Sequence, residues 1–336
     1  MKFDYIIGNP PYQTEQNGRM LPVYHTFMDS AFLVADVCEL ITPGRFLFNA
    51  GQTGSEWNRK ILSDPHFKVL MYESDSKKIF SSVDIKGGVA ISLHDNQQEF
   101  EPIKIFIADN CLKDILDKVV SSPDFSSIKV FTSTRYALNV IFEDHPEYVK
   151  YVKHEGRDSQ IDTNAFSKMP IFLKTPIGKE SDYVRIYGRH NNQREFRWVL
   201  KKYMADPGNL FNYKVFVSKA NGTGAFEALS SPVVGAPSEG STQSFLTIGA
   251  EETREAAENI LKYLKTKFAR AMLGVLKITQ DNSPSKWKYV PQQNFISYSD
   301  IDWSKSIADI DQQLYKKYGL TTDEITFIET HVKEME

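Results

Sequence analysis

At 336 residues the chain suits two domains, by the usual ~100–200 residues per domain. Its 41% hydrophobic and 12% aromatic content excludes a disordered protein and can bury a sizeable core. With 25% charged residues and a net charge of −3 it is no uniformly basic nucleic-acid coat, so any basic surface must be local.

The chain opens on Phe3-Asp-Tyr-Ile-Ile7, an apolar run that predicts a buried strand stopping at Gly8. Asn9-Pro10-Pro11-Tyr12 follows. Two prolines remove two backbone donors and fix φ, which predicts a stiff bracket at a strand's carboxyl end. Residues 13–20 are polar and predict a mobile loop. From Pro22, read as a first-turn proline, Tyr24, Phe27, Met28, Ala31 and Val34 recur at helical spacing. Residues 39–42 predict a strand, 55–62 a helix, 67–72 a strand and, after Gly87-Gly88, 89–93 another. Alternation of strands and helices predicts a parallel α/β sheet, in which ligands sit at the carboxyl ends of strands. Residues 95–99 read as a linker, 102–108 as an edge strand and 112–120 as a short helix. The polar stretch 121–170 carries no clear pattern, and the domain boundary is placed at 115/116.

An Asn amide beside an acceptor carbonyl can receive both hydrogens of an exocyclic amine. An adjacent Tyr ring can stack on the heterocycle bearing that amine. The plain alternative is an ordinary turn, since Asn-Pro is common loop punctuation. The tetrapeptide resembles the catalytic motif of amino-methylating, S-adenosylmethionine-dependent methyltransferases, above all the adenine-specific DNA enzymes. Leu40-Ile-Thr-Pro-Gly-Arg-Phe-Leu-Phe48 and Lys78-Ile-Phe-Ser-Ser-Val-Asp-Ile-Lys-Gly-Gly88 resemble later segments of such enzymes from type II restriction-modification systems, the combined restriction-modification methylase family. The resemblance implies a partial Rossmann-like methyltransferase sheet over residues 1–115 and an α+β target-recognition domain over 116–336. It implies catalytic roles for Asn9, Pro10, Pro11 and Tyr12, with Tyr12 and Phe80 stacking on the two faces of an extruded base. A core phenylalanine beside Ile79 fits Phe80 equally well.

Between residues 181 and 220 lie eight Lys/Arg against three acids, with eight aromatics interleaved. Arg185, Arg189, Arg194, Arg197, Lys214 and Lys219, with Asn191, Asn192 and Gln193, suit phosphate positioning and base-edge reading. A solvated surface over an ordinary aromatic core is the alternative. A second basic cluster runs from Lys262 to Lys288 and includes Lys262, Lys265, Lys286, Trp287 and Lys288. Its first part predicts one amphipathic helix over 255–276, and 279–288 reads as a DNA-facing loop. The tail from Asp300 is acidic and predicts helices over 309–318 and 322–332 that cap the domain away from DNA. Lys214–Gly224, Ser285–Phe295 and Leu314–Leu320 resemble target-recognition segments of the same family, which implies double-stranded DNA as partner.

Asn221-Gly-Thr-Gly-Ala-Phe226 imitates the family's cofactor loop. However, no Asp-Pro precedes it, and no strand ending in an acid follows at the usual ~20-residue offset. S-adenosylmethionine is therefore implied by resemblance alone, its binding residues are unknown, and the expectation is a chain lacking its cofactor half. An upstream segment or subunit would supply that half. The rival readings are a DNA-binding specificity module without catalysis, and a methyltransferase acting on RNA or on protein glutamine. Cys38 and Cys111 form no disulfide framework and no histidine pairs with Cys at zinc spacing, so a reducing cytoplasm and no metal are expected. No apolar run of ~18 residues predicts a membrane span.

Overall fold

The computed structural model describes residues 3–16, 18–49, 52–152, 159–222, 226–277 and 280–335. It divides into two compact units, Met1–Asn110 and Cys111–Glu336. The division falls at the start of a helix that the expected boundary at 115/116 would have cut.

The first unit contains β1 (Phe3–Gly8), β2 (Gln13–Gln16), β3 (Arg19–Pro22), α1 (Tyr24–Val34), β4 (Ala35–Pro43), α2 (Ser55–Leu62), β5 (Phe67–Glu73) and β6 (Val89–Asp95). Its main sheet has the order β1-β4-β6-β5. Only β1 and β4 are parallel neighbours, joined through α1. β6 lies antiparallel to both β4 and β5. The sheet is therefore mixed, not parallel throughout. The reason is local, because residues 74–88 supply no helix for a crossover and the chain returns directly. Two further expectations change. Residues 13–22 form the hairpin β2–β3, turning at Gly18 with φ +73°, and Pro22 ends β3 instead of opening the helix. Residues 102–108 form no strand.

Period-two alternation divides the sheet's faces. Cys38, Leu40 and Thr42 of β4 are buried, and so are Met28 and Tyr24 of α1 and Phe46 and Leu47 in the 3-10 stretch after β4. On the opposite face of β1, the sheet's edge strand, Phe3, Tyr5 and Ile7 are 49%, 51% and 74% exposed.

The second unit opens with α3 (Asn110–Val120), then β7 (Val130–Phe131), β8 (Arg135–Tyr136), α4 (Leu138–Asp144) and α5 (Ala165–Lys168). Next come β9 (Tyr183–His190), β10 (Gln193–Leu200), β11 (Met204–Ala205), β12 (Tyr213–Ser218), β13 (Val233–Gly235), β14 (Glu239–Ser241) and β15 (Phe245–Glu251). Four helices close the chain: α6 (Arg254–Lys265), α7 (Lys267–Gly274), α8 (Ile307–Lys317) and α9 (Thr322–His331). Its sheets run β13-β12-β15-β7, β10-β9-β14 and β11-β8. β9 and β10 pair from Gln193↔His190 to Leu200↔Tyr183, and Asn191 and Asn192 both take positive φ between them. A two-residue hairpin turn demands that conformation, so these asparagines serve turn geometry.

The helix expected over 255–276 is two helices. Thr266 breaks the run with φ −59° and ψ 147°, and its hydroxyl accepts from Ala269 N–H to cap α7. The buried Asp311 carboxylate of α8 accepts from the N–H groups of Lys267 and Phe268 at 2.9 and 2.8 Å. The break is thus satisfied by capping while Ile260, Leu264, Phe268 and Met272 stay in one core.

Burial pushes the Asp311 carboxyl up to about 6 against an ordinary 3.8, with the two N–H donors pulling the other way. Between those values the folded chain holds a proton that the unfolded chain has released. Stability from this group is therefore present at low pH and falls as pH rises from about 4 to about 6, by up to roughly 3 kcal/mol. Asp311→Asn should remove that slope. In urea unfolding, wild type should lose more stability than the variant between about pH 4 and pH 7, and equal losses contradict the assignment.

Candidate active site

β1 delivers Asn9-Pro10-Pro11-Tyr12 at its carboxyl end, with Asn9 exposed and Tyr12 half-buried. Val23 N–H donates to the Tyr12 carbonyl at 3.1 Å, which ties the bracket to the entry of α1. The Tyr12 hydroxyl is buried and has no partner in hydrogen-bond geometry among the described residues. Burial raises the phenol above its ordinary value, and the Asn9 side chain beside it opposes that rise.

Because β1 and β4 are parallel and β6 opposes both β4 and β5, the strands β1, β4 and β5 all end on one side of the sheet. The bracket, the Gly44 turn and the loop 74–88 all leave from that side. The loop is held firmly. Ser76, buried, donates through Oγ to the Val83 carbonyl at 3.0 Å and accepts from Ile85 N–H at 2.8 Å. Gly44 N–H donates to the Gly88 carbonyl at 2.9 Å, Tyr72 Oη to the Gly87 carbonyl at 3.3 Å, and Arg45 Nε to the Lys86 carbonyl. Phe80 sits in this loop half-exposed, and its ring meets no other aromatic ring among the described residues. It is partly buried.

Glu73, the acid at the carboxyl end of β5, accepts from Asp75 N–H at 2.9 Å and from Lys78 at 3.2 Å, so its carboxylate is already engaged. The segment that imitates a cofactor loop is described only in part. Asn221 is buried and closes its own turn, donating to the Ala228 carbonyl at 3.0 Å and accepting from Ser230 N–H. Thr223, Gly224 and Ala225 lie outside the described residues.

In the second unit the basic candidates separate into two groups. Lys214 is fully buried and donates to the carbonyls of Leu210 and Glu239 at 2.9 and 2.8 Å, and burial pulls its pKa down to about 8. Arg197 is buried against Glu195 at 2.6 Å. Trp287, taken from the sequence as DNA-facing, is a core residue. These three are corrected to structural roles, because each is withdrawn from solvent. Arg185 pairs with Glu239 and lies over the Phe196 ring, while Arg194 donates to the Ser230 and Ser231 carbonyls and to Ser218. Lys262 donates to the Trp303 carbonyl at 2.5 Å, Lys265 lies half-exposed near it on α6, and Lys286 is half-buried. Arg189, Lys219 and Lys288 are exposed, and no carboxylate pairs with them among the described residues. Residues that the sequence did not mark, Gln160 and Gln243 above all, line depressions beside Lys219. Both are isolated amides with no local motif, so only the fold gathers them.

Residues 1–80 match the Eco57I restriction-modification methylase family model. An uncharacterized adenine-specific methylase of Mycoplasma pneumoniae is 28% identical over 105 residues, 30% of this chain and 25% of that protein. The chain thus spans about a quarter of that curated relative. Among solved structures, the type IIL restriction-modification enzyme MmeI in complex with DNA is similar at TM-score 0.43 and 10% identity, over 97% of this chain and 56% of that one. The type IIG restriction endonuclease BpuSI is similar at TM-score 0.36 and 10% identity, over 93% of this chain and 48% of that one. Likeness at this level does not extend to individual positions.

The glycines framing the Phe80 loop give a stability test. At Gly88, φ +72°, a Cβ would run into the Glu73 carbonyl oxygen, whereas at Gly18, φ +73°, it would meet nothing within 4 Å. Gly88→Ala should therefore destabilise the chain by about 2 kcal/mol or more, and Gly18→Ala by about 1 kcal/mol, the backbone strain alone. Equal shifts in urea midpoint would contradict this account.

Proposed function

We propose that this chain carries the amine-recognising part of an adenine-specific DNA methyltransferase from a restriction-modification system, with its target-recognition domain. The observation that carries the proposal is the bracket at the carboxyl end of β1, on the same side of the sheet as the loop that holds the partly buried Phe80. The match of residues 1–80 to the restriction-modification methylases supports it.

In this reading the adenine leaves the duplex, which costs a few kcal/mol. Stacking on Tyr12 and Phe80, at about 1–3 kcal/mol per aromatic contact, offsets much of that. The Asn9 amide oxygen and the Pro10 carbonyl each accept one hydrogen of the exocyclic amine. The Pro10 carbonyl is fixed before the base arrives, because the two prolines restrict the backbone that carries it, and Asn9 is presented from the same stiff stretch. With both hydrogens accepted, the amine's lone pair is aimed out of the ring plane. The methyl donor of such enzymes is S-adenosylmethionine, and the described residues offer no cradle for it. We infer that a further segment or subunit supplies one by pairing along the open edge of β1, where Phe3, Tyr5 and Ile7 stand exposed.

The absent cradle also favours a second reading, a module that recognises DNA and transfers nothing. Calorimetric titration of this chain with S-adenosylmethionine should show no binding, and micromolar binding would overturn the inferred architecture. In the assembly that transfers methyl groups, Asn9→Ala should lower the rate by about 100-fold or more while duplex binding stays within about two-fold. Methylation at the wild-type rate would sink the role of Asn9. Duplex RNA competing as well as duplex DNA would shift the substrate class.

A further inference from the structure

Two adjoining depressions in the second unit, of about 400 and 380 Å³, share Lys219, Gln243 and Phe245. Their walls come from separate pieces of chain whose backbones are tied to one another. Lys219 N–H donates to the Ser244 carbonyl at 2.9 Å, Asn282 N–H to the Lys219 carbonyl at 2.8 Å, and Gln243 N–H to the Ile161 carbonyl at 2.8 Å. Thr242 N–H donates to the Tyr187 carbonyl at 3.0 Å, which anchors the same turn to β9. The frame is thus held before any ligand arrives, and buried Phe245 lines both depressions.

The two glutamines in this groove are each held at one point. Ser133 Oγ donates to Gln160 Oε1 at 3.0 Å, which leaves the Gln160 NH₂ available. Gln243 Nε2 donates to Asp162 at 3.2 Å, which leaves its second N–H and its Oε1 available. A donor and an acceptor side by side on a fixed amide match N7 and the N6 amine of adenine in the major groove. Lys219 and Arg189 bring unpaired positive charge to the same place. Asp281 opposes them, with its carboxylate accepting from Ser283 at 2.8 Å.

We infer that this groove reads base edges of duplex DNA. Gln243 recognises an adenine, Lys219 the O6 and N7 acceptors of a guanine, and Arg189 a phosphate that fixes the register. The inference rests on the reading of the second unit as a target-recognition domain and assigns the side chains that give it sequence preference.

The test is selection of the full chain against a duplex library with a randomised core, followed by sequencing. Wild type should enrich a defined site. Gln243→Ala should lose preference at one base pair, by about ten-fold or more, and keep the rest of the site. Gln243→Glu, which preserves the side chain's volume, should turn that position from adenine toward cytosine. Lys219→Ala should relax a guanine, and Lys316→Ala, exposed on α8 and outside the groove, should change no base. An unchanged site in the Gln243 and Lys219 variants overturns the groove assignment alone. A wild-type chain that enriches no duplex overturns the target-recognition reading and this inference with it.

Discussion

The parallel pairing of β1 with β4 is the constraint on which the first unit depends. It joins Phe3 to Ala35 and Gly8 to Leu40, and so fixes which residues of β1 face the helices. A slip of one residue would exchange the two faces of β1 and misdirect the Asn9 bracket that follows. Because the pairing is parallel, the bracket leaves on the same side as the turn after β4. Because β6 returns antiparallel, the loop carrying Phe80 leaves on that side as well. One ladder therefore gathers three loops that are far apart in sequence.

In the second unit, burial sorts charge into two uses. Lys214 and Arg197 are surrounded by carbonyls or a carboxylate and hold strands and loops together. Arg270 is buried beside Thr266 and Lys265, donating to their carbonyls, and one of its terminal nitrogens finds no partner among the described residues. Such groups cost desolvation and are retained where removal would leave buried acceptors empty. Exposed cations such as Lys219, Arg189 and Lys288 carry no such duty. A near-neutral chain can therefore present a small basic surface, since part of its positive charge never reaches solvent.

This sorting explains what was legible in the sequence. The bracket's place at the carboxyl end of the first strand could be read directly, because an apolar run, a glycine and two prolines are contiguous. The strands and helices of residues 24–93 were legible from periodicity, but Phe3–Ile7 form an exposed edge strand instead of a buried one, the β2–β3 hairpin was read as a loop, and the antiparallel return of β6 was not weighed. The missing helix between β5 and β6 was its signal. Arg197, Lys214 and Trp287 were misplaced because composition counts charges and rings without their depth. Thr266 was passed over since apolar spacing continues across it, while its buried capping partner, Asp311, lies 45 residues away. Gln160 and Gln243 had no signal at all.

The two sites are rigid for different reasons, and that difference bears on how each can change. The bracket is stiff through the covalent geometry of its prolines, so a substitution there alters frame and chemistry together. The groove is stiff through backbone hydrogen bonds among loops, which are indifferent to the side chains those loops carry. Glutamine, lysine or arginine can be exchanged at its rim while the ties between Lys219, Ser244 and Asn282 persist. Under the proposed function, a fixed bracket for one amine and a replaceable set of reading side chains would be the division of labour that one reaction at many different sites requires.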